Sequence, residues 1–544
     1  MGTNMLGAKS YDFVIVGAGS AGCVLANRLT ESGKYRVLLL EAGGRDWNPW
    51  IHIPVGYGKT FTDPKVNWLF RSEPHAATGD RAILQPRGKV LGGSSSINGL
   101  IYIRGQREDY DLWRQFGNSG WSYEDVLPYF RKAEDQQRGA DEYHGIGGPL
   151  KVSDPKDPHP LCDAFIAAAH RCGYPLNDDF NGSSQEGFGY YQWSLRDGRR
   201  SSAATGYLRP AQRRRNLKVV TRAHATRILF EGKRAIGVEY TRNGQKRSAR
   251  AEGEVILSGG SFNSPQLLQL SGVGPADLLR QFGIEVVADM KGVGANLIDH
   301  YTSRAIYRCR DKITLNDAVG LRNLHRGANQ VYQYLTRRAG MLAMAGSYAA
   351  GFFKTDPAVA TPNIQCTVSL FSADKTGERL HPFSGFTIVD RLLRPESRGT
   401  VTIGSADPLA APIIRPNYLS SPRDCDVLLA AFKITRKIVE TDPMRRFVLD
   451  EYMPGTTIRH DDDLMDYLRK NGGIAFHPVS TCRMGVDLDA VVDERLRLRG
   501  FTGLRVVDAS IMPTIPSGNT NAPTIMIAEK GADMILQDSA ARVG

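Results

Sequence analysis

The stretch "YDFVIVGAGSAGCVLANRLT", residues 11–30, constrains the fold more than any other part of this 544-residue chain. "YDFVIV" is a continuous apolar, β-rich run, the pattern of a parallel strand buried on both faces. Gly17, Gly19 and Gly22 follow in GxGxxG spacing, and residues 20–31 read as a helix with Ala21, Val24, Leu25 and Leu29 on its apolar side. "RVLLL" is a second buried strand that ends at Glu41. In this order the first glycine permits a tight turn. The second lets the backbone approach a pyrophosphate, and the third lets helix and strand pack closely. Phosphates then meet the free N–H groups of the helix N-terminus at Ser20 and Ala21. Glu41 is placed to accept hydrogen bonds from both ribose hydroxyls; it disfavours a 2′-phosphate but does not separate NAD from FAD. A glycine turn without a ligand is the alternative. The strand, glycines, helix, strand and acid, all in order, argue against it.

The chain is too long for one core, so two or more domains are expected. Hydrophobic residues make up 41% and charged residues 23%, the balance of a soluble globular protein. The seven cysteines contain no CxxC pair, which fits reduced thiols in a cytoplasmic compartment better than a disulfide framework. No apolar run is long enough to span a bilayer. "MGTNMLGAKS" has no long apolar core and reads as a short disordered lead-in, not a secretion signal. The eleven histidines show no HExxH or paired ligand spacing, so no metal site is expected.

Two further segments are rich in glycine. "PRGKVLGGSSSINGLIYIRG", residues 86–105, suits close backbone packing against a flat ring. "GGSFNSPQLLQLSGVGP", residues 259–275, follows the strand-like "EVILS", with Ser264 and Pro265 as helix N-cap and first helical residue. With these two, the chain resembles the glucose–methanol–choline (GMC) family of FAD oxidoreductases over nearly its whole length. The resemblance continues through "GVGANLIDH" (292–300), "LRPESRG" (393–399), "FHPVSTCRMG" (476–485) and "SGNTNAPTIMIAEKGAD" (517–533).

The resemblance implies FAD and an interleaved fold of α/β plus α+β class. A Rossmann-like FAD-binding domain is expected over 8–160, 206–300 and 476–544. An antiparallel-sheet substrate domain is expected over 161–205 and 301–475, roofing the flavin. Around the cofactor the resemblance places Gly17, Gly19, Ser20, Ala21, Gly22, Glu41, Ala42, Val90, Gly93, Ser94, Asn98, Gly99, Ala225, Asp508, Ala509, Pro523 and Thr524. Members that attach FAD covalently through histidine carry that residue where this chain has Ile97, so non-covalent FAD is implied. The family's catalytic pair is His–His or His–Asn, and here the matching residues are His477 and Asn521. The resemblance implies that His477 takes the hydroxyl proton of a primary alcohol and flavin N5 the hydride. Neutral imidazole suits that task near neutral pH. The second polar side chain aligns the hydroxyl with the flavin. Asn521 also reads as the N-cap of a helix beginning near Ala522 and Pro523, whose dipole favours an anionic reduced flavin.

The expected substrate is an aromatic or furanic alcohol, or an aliphatic or polyether one. Choline-type members hold their cation with a carboxylate and an aromatic cage, and approximate alignment puts Tyr348 at the acidic position, against choline. Tyr348, Phe352, Phe371 and Phe476 are candidates for an apolar pocket, though each suits a core equally; Met341 and Met344 read as core. The expected electron acceptor is oxygen or a quinone, and the expected state a monomer or homodimer. Two other readings stay open: a lyase or decarboxylase on the same scaffold, and a basic binding protein suggested by the net charge of +12. The arginine-rich stretch 196–220 lacks the interleaved aromatics of a nucleic-acid groove apart from Tyr207, so no nucleic acid is expected, and Arg213, Arg214 and Arg215 read as a solvated face. A loose contact with the inner-membrane surface fits the charge better, although no amphipathic anchor stands out.

Overall fold

The opening apolar run forms the strand Lys9–Val16, and the helix Ser20–Thr30 follows directly. The computed structural model describes residues 9–319, 324–375 and 377–541; most of the expected lead-in, with the domain start expected at residue 8, lies outside them. Lys9–Val16 pairs in parallel with Val37–Glu41 on one side and Gln245–Leu257 on the other. Leu217–Thr221 extends the sheet beyond Val37–Glu41, and Leu504–Val506 joins the far side of Gln245–Leu257, both in parallel. Arg234–Arg242 pairs antiparallel with the first half of Gln245–Leu257, and Ala223–Glu231 pairs antiparallel with Arg234–Arg242 at the edge, which completes seven strands. Val37–Glu41 is buried throughout and Lys9–Val16 from Phe13 onward, which explains the unbroken apolar runs. The parallel strands end at one edge, where Gly17, Ala42, Ser258 and Asp508 line a common cavity. Such an edge is where open α/β sheets bind ligands.

A second sheet of eight strands covers that cavity. Its centre is antiparallel: Ala349–Phe353, Ile364–Ser369, Gly385–Leu392 and Ala305–Cys309 lie side by side. The strand period of two sorts its residues. On Gly385–Leu392, Thr387, Val389 and Arg391 face the cavity, while Phe386, Ile388, Asp390 and Leu392 are buried on the other side. The helix Pro422–Val439 packs on this strand. Each sheet has its own large apolar core. The architecture is therefore an α/β unit interleaved with an antiparallel-sheet unit.

Two expected helix starts are corrected. The helix expected from Ser264 begins at Gly260 and runs to Leu270, with Pro265 inside it. Proline there cannot donate to the Ser261 carbonyl four residues back, and Thr481 Oγ1 donates to that carbonyl instead at 2.6 Å. The C-terminal helix spans Asn521–Ala541. Thr520 O accepts its first backbone bond, from Thr524 N, so Asn521 is the first helical residue and not the cap.

Arg213 and Arg215 are exposed as expected, but Arg214 is half-buried and donates to Asn27 O and Thr30 Oγ1. Among the described residues, no helix is long and apolar enough to cross a membrane. One amphipathic element does stand out, contrary to expectation: the helix Leu324–Arg337 leaves Leu324, Val331, Tyr332 and Leu335 in solvent.

Candidate active site

A cavity of about 1820 Å³ runs between the two sheets, from the glycine turn to His477. At its first end, the Gly17 backbone has φ +98°, and a Cβ there would sit 2.4 Å from Ser258 O. A Cβ on Gly22 would lie 1.9 Å from Gly17 O, so this glycine serves helix–strand contact. Gly19 differs: its Cβ position meets nothing closer than 4.0 Å, and the residue lines the cavity. It caps the helix Ser20–Thr30, and no side chain satisfies that helix end. The first-turn N–H groups are thus available to a phosphate. Glu41, buried beside this turn, accepts Ala18 N at 2.9 Å and Gly43 N at 2.7 Å. Burial pushes its carboxyl up to about 7, against the pull of those two N–H groups.

The second glycine segment packs directly on the first: a Cβ on Gly93 would lie 2.6 Å from Gly19 Cα. Arg200 fixes its far end, donating to Ser95 O, Asn98 Oδ1 and Asn98 O at 3.1, 2.6 and 2.7 Å. On the opposite wall, Asp508 accepts from Gly260 N, Ser264 Oγ and Ser510 N. Of the residues expected at a cofactor, Gly17, Gly19, Ser20, Ala21, Glu41, Ala42, Gly93, Ser94, Asn98, Gly99, Ala225, Asp508, Ala509 and Thr524 line the cavity. Gly22, Val90 and Pro523 do not. Val90 is buried in a small apolar cluster with Ile51, Val66 and Ile97, and Pro523 is buried within the helix. An open glycine, an uncapped helix and a long cleft suit a dinucleotide, and FAD fits this set.

At the other end stands His477, 8% exposed. The expected partner of His477 is Asn521, but the asparagine beside it is Asn519. Asn519 Nδ2 lies 3.1 Å from His477 Nε2, whereas Asn521 Oδ1 accepts from Ser20 Oγ at 2.8 Å, on the glycine-turn side. The Asn519 amide is oriented by Gln365, whose Nε2 donates to Asn519 Oδ1 at 3.2 Å and to Tyr191 OH at 2.7 Å. With Gln365 donating to its Oδ1, Asn519 presents its N–H to His477, and this hydrogen-bond network assigns the lone pair to Nε2. The proton sits on His477 Nδ1, which faces His300 Nδ1 at 3.1 Å. Burial holds His477 well below the ordinary histidine value, and the His300, Arg391 and Arg87 neighbours add to this. His300 is likewise held down to about 3 by burial, with Arg391 adding to it.

The backbone around His477 is fixed from several sides. Asp299 Oδ1 accepts both His477 N and His300 N at 2.8 Å. Burial lifts the Asp299 carboxyl to about 6 against those bonds and the Arg87 charge. Phe476 sits at φ +65°, a strained region for an aromatic residue, worth about 1–3 kcal/mol. Arg87 Nη2 grips its carbonyl at 2.5 Å, and Ala475 N donates to His300 O. This bracing aims the imidazole into the cavity.

Sequence reasoning missed Asn519, Gln365, Asp299, His300, Arg87 and Arg391, although Arg87, Asp299, His300 and Asn519 lay in quoted segments. Phe371 and Phe476 line the cavity as envisaged; Tyr348 and Phe352 do not. Tyr348 packs edge-on against Trp193 at 4.7 Å, and Phe352 against Phe180 at 5.0 Å. Tyr348 therefore does not stand at the substrate end, and the argument against choline built on it is withdrawn.

The GMC oxidoreductase family model matches residues 11–302 with its N-terminal part and 395–528 with its C-terminal part. The chain is 42% identical to the alcohol dehydrogenase [acceptor] of Pseudomonas putida, over 97% of this chain and 96% of that one. It is 44% identical to the mitochondrial choline dehydrogenase of Homo sapiens, over 96% and 89%. Pyridoxine 4-oxidase from Mesorbium loti superposes with a TM-score of 0.87 at 32% identity, covering 96% of this chain and 98% of that one. The glycine cradle, the two-sheet cleft and these full-length similarities make the chain a member of the GMC oxidoreductase family, FAD-dependent enzymes acting on CH–OH donors.

Proposed function

We propose that the protein oxidises a primary alcohol to its aldehyde, with His477 as the base. The observation that carries this reading is the convergence of two nitrogens, His477 Nε2 and Asn519 Nδ2, 3.1 Å apart on the cavity wall. One is a lone pair on a neutral, buried imidazole, and the other an amide donor. An alcohol oxygen seated between them donates its proton to Nε2 and accepts from Nδ2. As negative charge grows on that oxygen, the amide stabilises it without reorganising, because Gln365 already holds it. Proton removal of this kind contributes about 10²–10⁴-fold. Bound FAD supplies the hydride acceptor at N5. Ser20, Ala21 and Gly19 would hold its phosphates, Glu41 its adenosine ribose, and residues of the stretch 93–99 with Ala509 and Thr524 would enclose its ring. FAD is held non-covalently, since isoleucine at position 97 offers no nucleophile. Oxygen or a quinone takes the electrons onward.

The test is anaerobic stopped-flow mixing of the holoenzyme with aromatic, furanic, aliphatic and polyether alcohols, followed by reoxidation with oxygen or a quinone. Flavin bleaching with stoichiometric aldehyde supports the reading. A flavin that stays oxidised with every alcohol while substrate is cleaved or decarboxylated replaces it with lyase chemistry.

A further inference from the structure

The roof of the cavity carries an arginine that this chemistry does not use. Arg391 faces the cavity beside Thr387 and Val389. It lies opposite Gln365 in one neighbouring strand and Thr302 in the other, and Gln365 is the residue that holds Asn519. Its charge reaches both His477 and His300. Arg391 is half-buried, and Nη1 donates to Thr367 Oγ1 at 3.0 Å. No carboxylate pairs with it among the described residues. Asp390, its neighbour in sequence, lies on the other face of the strand with Ser303 and Thr435. Asp299 is turned toward backbone N–H groups behind His477.

A guanidinium taken partly out of water and left without a carboxylate is costly unless a ligand completes it. Its planar fork matches a carboxylate bidentately. The acidic residues of the wall stand elsewhere. Glu41 and Asp508 belong to the cofactor end, and Asp374 and Glu378 lie on the stretch 373–382, where Asp374 is bound to His381. Among the described residues, nine lysines and arginines line the cavity against these four acids, a field that draws anions inward and repels cations.

We infer that Arg391 recognises the substrate's far end, and that the substrate is a primary alcohol carrying a carboxylate. This deepens the alcohol-oxidation reading and rests on it. The carboxylate takes no covalent part. It pairs with Arg391 while the hydroxyl end gives its proton to His477 and its hydride to the flavin, leaving a carboxylate-bearing aldehyde. A quaternary ammonium alcohol such as choline meets an arginine where it needs a carboxylate.

The test pairs 4-(hydroxymethyl)benzoate with its methyl ester, and 6-hydroxyhexanoate with its methyl ester, with choline as the cationic member. Anaerobic flavin reduction is measured with the wild-type holoenzyme and with Arg391→Met. The wild type should favour each acid over its ester in kcat/KM, chiefly through KM, with choline the poorest. Arg391→Met should lower the acid-to-ester ratio by about 10–100-fold, the range of a lost charge-assisted hydrogen bond. A role exerted only through His477 would change acid and ester equally and overturn the inference. Should the variant not fold, the wild type still decides: benzoate should compete with the alcohol far better than benzamide, and equal inhibition overturns the inference. Reduction by the esters but not the acids overturns the inference alone. No reduction by any alcohol overturns the alcohol-oxidation reading, and the inference with it.

Discussion

Replacing Asn519 by alanine separates the roles of the two asparagines that lie two residues apart at the start of the C-terminal helix. The change removes the donor 3.1 Å from His477 Nε2 and frees Gln365 Nε2 from Asn519 Oδ1. Gln365 keeps its bond to Tyr191 OH, so the roof strand retains an anchor. The lost interaction matters most when charge develops on the alcohol oxygen. A hydrogen bond to a charged group contributes about 1.5–3 kcal/mol, and at 1.36 kcal/mol per decade this is about 10–150-fold in flavin reduction. Flavin content should stay close to wild type, because the Asn519 side chain bonds to His477 and Gln365. Asn521→Ala removes the Ser20 Oγ bond at 2.8 Å and should act mainly on flavin retention. The assay is anaerobic stopped-flow reduction at saturating alcohol, with flavin content read from the absorbance ratio at 450 and 280 nm. A larger loss of reduction rate in Asn521→Ala than in Asn519→Ala refutes the assignment.

Glu41→Ala leaves Ala18 N and Gly43 N without their acceptor, so FAD retention should weaken more than the reduction rate of the remaining holoenzyme; unchanged flavin content would remove Glu41 from the cofactor site. Acid precipitation should release all of the FAD into the supernatant, and flavin absorbance left in the pellet would contradict non-covalent binding. His144 is buried; burial opposes its cation, but bonds to Asp179 at 2.8 Å and Glu134 at 3.0 Å outweigh that and raise it to about 9. A raised folded value means that the stabilisation is complete below the unfolded value of about 6.5 and is lost as pH rises through about 9. Thermal scans between pH 6 and 10 should therefore show Tm falling, with a smaller slope in His144→Gln; equal slopes refute the coupling.

Most of the cofactor half was legible because its residues act through backbone geometry. A GxGxxG turn between two buried strands fixes where N–H groups point, and Gly17, Gly19 and Glu41 arrive at the cavity by local structure alone. The roof was legible only as strands. "SGFTIVDRLL" contains the strand Gly385–Leu392, and its period of two puts Thr387 and Arg391 on one face, a signal that was available for Arg391 but went unused. The misplaced asparagine has a plain cause. "SGNTNAP" precedes a helix in irregular backbone, where side-chain direction follows no period, and only the helix start at Asn521 shows which residue turns toward Ser20. Tyr348 failed for a related reason. It precedes the strand Ala349–Phe353 and packs on Trp193, a partner 155 positions away that no local pattern reveals. His300 and Asp299 brace His477 across a similar separation, which spacing in a single motif cannot express.

The central claim is that His477 removes the hydroxyl proton, and anaerobic flavin reduction in His477→Ala tests it most directly. The variant should keep the flavin spectrum and bind alcohol, yet reduce its flavin about 10²–10⁴-fold more slowly than wild type. In the wild type the histidine value is depressed by burial, so the neutral base persists to low pH. The reduction rate should fall only well below the ordinary value of about 6.5, and that acid limb should be missing in the variant. Flavin reduction at near wild-type rate in His477→Ala, with the acid limb intact, would show that another group takes the proton.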